Sequence, residues 1–218
     1  MSPSQKTAAE YVPDSYDLAT LKEVGQGCRG CELWEGPVQA VFGEGPADAR
    51  MMLVGEVPGD QEDRQGRPFI GPAGKLLDRA LQQAGIDRSI TYVTNSVKHF
   101  RFTERGKRRI HQTPDMVHVN ACRPWLAAEM SVISPEVIVT LGATAGRSLF
   151  GSSFRVTKER GALKPFEPPS AFEDAGVHST WTVATVHPSA ILRMPDEEKW
   201  KAFDEFVADL EVARKALA

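Results

Sequence analysis

Apolar residues in this chain fall in short blocks separated by Gly- and Pro-containing loops, and the spacing within the blocks alternates between strand-like and helix-like. Residues 51–54 are apolar throughout and stop at Gly55, which predicts a strand buried on both faces. In residues 75–84, Leu76, Leu77, Ala80, Leu81 and Ala84 share one helical face, and Gly85 ends it. Residues 91–97 read as a second strand and residues 137–141 as a third, followed by a helix over 143–150. A fourth strand is expected over 182–186. A short helix is expected at 18–24, and Asp196 opens the last one, with Trp200, Phe203, Val207, Leu210 and Arg214 along one stripe. Pro114 suits the first position of a further helix, and Pro124 within that helix predicts a kink or a break. Residues 154–180 are Pro-rich and irregular, and read as a long surface loop with room for a hairpin.

Strands that alternate with helices predict a three-layer α/β/α fold with a central, mostly parallel, four-stranded sheet. The 218 residues fit one domain over 17–218, with 1–16 expected as a flexible polar tail. No apolar run approaches the ~20 residues of a membrane span, and no signal-like apolar segment opens the chain, so a cytoplasmic location is expected. Nothing in the pattern calls for an obligate dimer, so a monomer is expected.

Charge changes this picture at one place. The chain carries a net −3, yet the segment 98–111 holds six Lys/Arg against one Glu. An acidic protein with its positive charge gathered in one loop has a surface for a polyanion. That loop ends in Lys107-Arg108-Arg109-Ile110-His111, and its last side chain can serve as base or nucleophile near neutral pH. Read alone, this is equally the signature of a DNA-binding module with no chemistry.

In parallel α/β sheets, ligands bind beyond the carboxyl ends of the strands. Three predicted strands deliver polar residues there: Glu56 after the first, Asn95 near the end of the second, His187 after the fourth. Gly71-Pro72-Ala73-Gly74-Lys75 does not make a phosphate loop, because Leu76 follows the lysine and Phe69 stands at the leading glycine position. Cys28 and Cys31 have metal-ligand spacing, while the total of three Cys leaves one unpaired in any disulfide scheme. Zinc and iron–sulfur both remain open on spacing alone.

Several separated motifs resemble one family. They are Gly55-Glu56-Val57-Pro58-Gly59 with Glu62-Asp63, then 66–74 around Phe69, Thr94-Asn95, 121–126 around Cys122, and His187-Pro188-Ser189. In this order they are similar to the iron–sulfur uracil-DNA glycosylases, over residues 28–193. The Lys107–His111 insertion resembles the UdgX-type branch, which attaches itself covalently to DNA at uracil. The resemblance implies the uracil-DNA glycosylase fold, and uracil-containing DNA, with single strands favoured, as the partner. It places uracil against Phe69, Asn95 and His187, with the loop through Val57 and Asp60 beside it. Asn95 would pair with uracil O4 and N3–H, and His187 would donate to O2 as the base leaves. Leu192 and Arg193 resemble a wedge and a phosphate contact, although a plain helix-leading segment fits the same residues.

For the thiols, the resemblance implies a [4Fe–4S] cluster on Cys28, Cys31 and Cys122, with His99 at the position where many relatives carry a fourth Cys. It further implies that His111 captures deoxyribose C1′ with Glu56 as its base, while Lys107, Arg108 and Arg109 hold the loop to phosphates. The alternative is a conventional hydrolytic glycosylase that leaves an abasic site. One departure is Val57, where UdgX-type motifs usually have Gln.

Overall fold

A computed structural model describes residues 6–217. The elements in chain order are α1 (Leu18–Val24), β1 (Met51–Gly55), α2 (Asp60–Gln65), α3 (Pro72–Gln83), β2 (Thr91–Asn95), β3 (Phe102–Arg105) and β4 (Arg108–His111). There follow α4 (Met116–Ile133), β5 (Val137–Leu141), α5 (Gly142–Phe150), α6 (Val156–Glu159), β6 (Leu163–Phe166), α7 (Ser170–Glu173), β7 (Thr180–Thr185), α8 (Pro188–Leu192) and α9 (Asp196–Lys215).

The central sheet has the order β2-β1-β5-β7-β6. The first four strands run parallel, and β6 closes one edge antiparallel to β7. Both faces are covered, so apolar side chains alternate between two cores. Met51, Leu53, Val137, Val139 and Leu141 pack toward α3 and α9; Met52, Val54 and Ile138 pack toward α4 and α5. A third core joins Ala8, Leu21, Cys28, Val57, Cys122 and the fully buried Trp125, and it seals the N-terminal segment onto α4.

The α/β/α expectation holds, with five strands in place of four. The extra strand, β6, lies in the segment read as a surface loop. Phe154, Phe166 and Phe172 of that segment are all buried, which is the reason it folds back on the sheet. Part of the expected tail is packed. Ala8 and Tyr11 belong to a 3-10 turn packed in the third core, and Tyr16 Oη lies 3.2 Å from Ser131 Oγ. Residues 1–5 of that expected tail lie outside the described residues.

The helix expected from Pro114 begins at Met116, with Asp115 as its cap and His118 Nδ1 accepting from the Asp115 N–H at 3.1 Å. It runs unbroken past Pro124, because Trp125, Leu126, Ala127 and Met130 bury that stretch against the sheet. In α9 the buried face is centred on Phe203, Phe206, Leu210 and Ala213, which leaves Trp200 at its edge, 69% exposed. Among the described residues no helix is long and apolar enough to cross a membrane.

One backbone contact ties the packing to the crevice at the strand ends. Phe69 adopts φ 54°, a left-handed conformation rare for a bulky residue, and its carbonyl lies against Gly74 in the first turn of α3. A β-carbon at Gly74 would overlap that carbonyl. Gly74→Ala is therefore expected to cost about 1–3 kcal/mol and to move the Phe69 ring. Thermal melting together with the fluorescence or NMR signature of the crevice checks both effects.

Candidate active site

The carboxyl ends of β1, β2 and β7 open into a crevice with two adjoining cavities. The first, about 420 Å³, is lined among others by Val57, Asp60, Phe69, Asn95, His187 and Leu192. The second, about 540 Å³, is lined among others by Glu56, Arg101 and Gln112. His111, His187, Ser189 and Arg193 belong to both walls and mark the boundary.

The floor of the first cavity depends on Gly55. In the β1–β2 register Gly55 stands opposite Asn95, and a β-carbon on it would run into Asn95 Oδ1 and the Phe69 ring. Asn95 is 3% exposed, so its amide faces the cavity and little else. The Phe69 and His187 rings stand 6.0 Å apart at 32°, a tilted pair that frames a slot for a planar group.

His187 caps α8, and its Nδ1 accepts the Ser189 N–H at 3.2 Å. An Nδ1 that accepts must keep its lone pair. In the neutral ring the proton then sits on Nε2, which makes Nε2 the donor. The ring stays neutral: burial first, then the cost of protonating it alongside His111 and the positive charge of Arg193, bring its pKa down to about 4.

Glu56 follows β1 directly. Its Oε2 accepts the Thr144 hydroxyl at 2.5 Å, and its Oε1 lies 3.9 Å from His111 Nε2. That second distance is an ion-pair separation and too long for a direct hydrogen bond. Burial holds the His111 pKa below that of a free imidazole; Glu56 opposes the shift and Arg193 adds to it. The crevice thus contains a neutral imidazole beside a carboxylate, with an amide and a second neutral imidazole across the boundary.

His111 reaches this place because the basic loop is a two-stranded hairpin, β3 with β4, turning at Gly106-Lys107, where Gly106 has φ 61°. Lys107 and Arg108 stand exposed at its tip. Arg109, read from sequence as a phosphate contact, turns inward. Its guanidinium pairs with Asp60 at 2.5 Å and Asp63 at 2.5 Å, lies 5.3 Å from the Phe100 ring centre and 5.0 Å from that of Phe102, and is only 12% exposed. It fastens the hairpin to α2. At the other rim, Leu192 is 38% exposed and Arg193 donates to Ser189 Oγ at 3.2 Å, while Ile191 is buried in the core.

The thiols of Cys28, Cys31 and Cys122 gather under the third core. Burial raises Cys122 to about 12, with Cys31 and Cys28 close enough to push it the same way; the Lys98 N–H donates to its Sγ at 3.3 Å. His99 is buried and neutral, its pKa lowered by burial to about 4, and the charge it senses is that of Asp63. Among the described residues no group of three or more His, Cys, Asp and Glu stands in metal-holding geometry. Cys28 and Cys122 are buried and Cys31 is half-buried within electrostatic reach of both, and thiols are the donors that soft metals and clusters take.

Sequence reading missed two groups. Thr144 holds Glu56 from the first turn of α5, the helix that follows the neighbouring strand β5, and no local motif announces it. Glu62, 8% exposed, accepts the Gly71 N–H at 2.9 Å and fastens the Phe69 loop to α2. Its place four residues after Pro58 was visible, but its partner was not.

The crevice thus sets an amide, two imidazoles and a carboxylate around adjoining cavities beside a basic hairpin, with a volume suited to a small ligand. The chain belongs to the Uracil DNA glycosylase superfamily, whose family pattern matches residues 42–211. It is 38% identical over 149 residues to a Type-4 uracil-DNA glycosylase of Sulfurisphaera tokodaii, covering 66% of this chain and 64% of that protein. It is 36% identical to the Type-4 uracil-DNA glycosylase of Thermotoga maritima, over 81% of this chain and 88% of that one. With the Pyrobaculum aerophilum enzyme of the same description it shares 34% identity over 82% of this chain and 86% of the relative.

The histidines give the site a pH signature. His187 titrates near 4 when folded and near 6.5 when free, so unfolding takes up a proton between those values. Stability therefore falls as pH drops from about 6.5 to about 4, and this contribution is level above 6.5. Melting temperatures from pH 4 to 7 are expected to fall more steeply for the wild type than for His187→Asn.

Proposed function

We propose that this protein removes uracil from DNA and that His111 captures the deoxyribose it exposes. The carrying observation is the placement of His111: its imidazole borders the base cavity on one side and faces Glu56 at 3.9 Å on the other. Uracil enters the first cavity, stacks on Phe69 and pairs O4 and N3–H with the Asn95 amide. Cytosine would set its amino group against the amide N–H, leaving buried donors unpaired, which is a strong basis for rejection. Val57 and Asp60 lie beside the base.

As the glycosidic bond breaks, its electron pair goes to uracil N1, and the His187 Nε2–H stabilises the anion at O2. The sugar is left with oxocarbenium character at C1′. One nitrogen of neutral His111 donates its lone pair to C1′, and the proton on the other nitrogen passes to Glu56. Imidazole is a poorer leaving group than the uracil anion, so the adduct persists and each molecule turns over once. Lys107, Arg108 and Arg193 contact phosphates around the extruded nucleotide, and Leu192 fills the gap in the stack. Hydrolysis is the second reading, favoured by the relatives described as glycosylases, with water taking the place of His111.

Cys28, Cys31 and Cys122, with His99, are the residues that would hold a [4Fe–4S] cluster. The convergence of the thiols supports this assignment. Breaking a glycosidic bond needs no electron transfer, so the cluster's contribution is to pin the N-terminal segment and the root of the hairpin to the sheet. Freshly purified protein is expected to be brown, with broad visible absorbance and stoichiometric iron and sulfide; colourless protein containing zinc rejects the assignment.

Incubation with a uracil-containing single-stranded oligonucleotide, followed by a denaturing gel, is expected to give a shifted band that survives heat and detergent. His111→Ser is expected to abolish that band and to release uracil with an abasic product. Repeated turnover by the wild type without a shifted band rejects the capture step and leaves the hydrolytic reading.

A further inference from the structure

Lys98 is the one fully buried lysine among the described residues, 1% exposed, and none of the chemistry above uses it. It lies three residues beyond Asn95. Its side chain curls back, and Nζ donates to the Asn95 carbonyl at 2.7 Å, to Thr94 Oγ1 at 2.8 Å and to Glu129 Oε2 at 2.5 Å. Those three acceptors match the three protons of an ammonium.

The remaining partners make the network complete. Glu129, fully buried on α4, also accepts from the Gly43 N–H at 2.8 Å and the Tyr92 hydroxyl at 2.9 Å. The chain on either side is pinned as well. Ser96 N–H and Val97 N–H donate to the Gly55 and Glu56 carbonyls, and the Lys98 carbonyl accepts from Val41 N–H.

Such an arrangement is a poor choice for stability alone. Two charges leave water, and a pair of well-packed apolar residues of similar volume is often at least as stable. What it does supply is direction. A strand that ends in a buried crevice has a carbonyl with no ladder partner, and an unpartnered buried carbonyl lets the backbone tilt to find one. Here the tilt would swing the Asn95 amide that faces the cavity.

We propose that Lys98, charge-balanced by Glu129, is a positioning residue for base recognition: by holding the Asn95 carbonyl it fixes the amide in the orientation that reads uracil. The inference rests on the reading of Asn95 as the uracil-recognising group. Lys98 acts through Asn95 and touches no reacting atom.

The test is Lys98→Met combined with Glu129→Gln, which removes both charges together and leaves no lone buried ion. Free uracil is titrated into the intact protein and followed by protein NMR shifts, alongside thermal melting and single-turnover excision. The double variant is expected to bind uracil about tenfold more weakly, a loss of ~1.4 kcal/mol. A lower melting temperature with unchanged uracil affinity assigns the network to stability alone and overturns the inference. Should the double variant fail to fold, Thr94→Val removes one acceptor of Lys98 and the hydroxyl that donates to Glu129 at 2.9 Å, and no charge. It is expected to weaken uracil binding by a smaller factor, and unchanged affinity there is equally decisive against the proposal. Wild type that binds uracil without excising it from DNA counts against the proposed function and leaves the positioning role standing. Wild type that does not bind uracil overturns both.

Discussion

The alignment of β1 with β2 is the constraint on which the rest of the crevice depends. Met51 pairs with Thr91 and Gly55 with Asn95, so both strands reach their last residue at the same height. A slip of one residue would turn every side chain of one strand to the opposite face. Asn95 would then point away from the cavity, and Met52 and Val54 would change cores with Met51 and Leu53. The apolar alternation that builds two cores is therefore the same feature that aims the amide. Packing fixes the register with several buried side chains per strand, each worth about 1.5–3 kcal/mol on burial, and recognition inherits that precision.

The hairpin obeys a different logic. Apart from Phe102 and Arg109, its residues are largely exposed, and a two-stranded ribbon is marginally stable by itself. Arg109 compensates. Its pairs with Asp60 and the wholly buried Asp63 hold β4 against α2, and its stacking on Phe100 and Phe102 braces the other strand. Asp63 in turn accepts from Val38 N–H, so the clamp extends into the segment between the thiols and β1. Of the positive charges in the segment 98–111, Lys98 is buried against Glu129, Arg101 pairs with Asp115 and Arg109 clamps the hairpin, while those at the tip face solvent.

Sequence patterns carried the sheet and most helices, because a buried parallel strand and an amphipathic helix each have a period that residues must obey. Glu56, Asn95 and His187 were legible as strand-end polar groups for the same reason. What stayed hidden was partnership across long separations. Nothing near Thr144 announces that it holds Glu56, and nothing near Arg109 distinguishes a clamp from the exposed Lys107 and Arg108 beside it. The segment 154–180 was misread because Pro-rich punctuation outweighed three phenylalanines whose burial needs a sheet edge to receive them. Local signals fail where the deciding contact lies in another element.

Electrostatics explains why these partners matter. Two imidazoles share one crevice with Arg193, and the proposed chemistry needs each neutral: one to keep its lone pair, the other to keep a directed N–H. Burial and mutual repulsion keep protons off His187, and Arg193 presses His111 the same way. A further free cation beside them would add field without adding chemistry, and Arg109, two residues before His111 on β4, would be one if it were unpaired. Asp60 and Asp63 neutralise it at the crevice wall, while Thr144 leaves Glu56 with one oxygen directed at His111. The acidic residues around the hairpin root therefore do two jobs at once. They fasten the strand that carries His111, and they keep the positive charge needed for a polyanion out of the pocket where neutral imidazoles have to work.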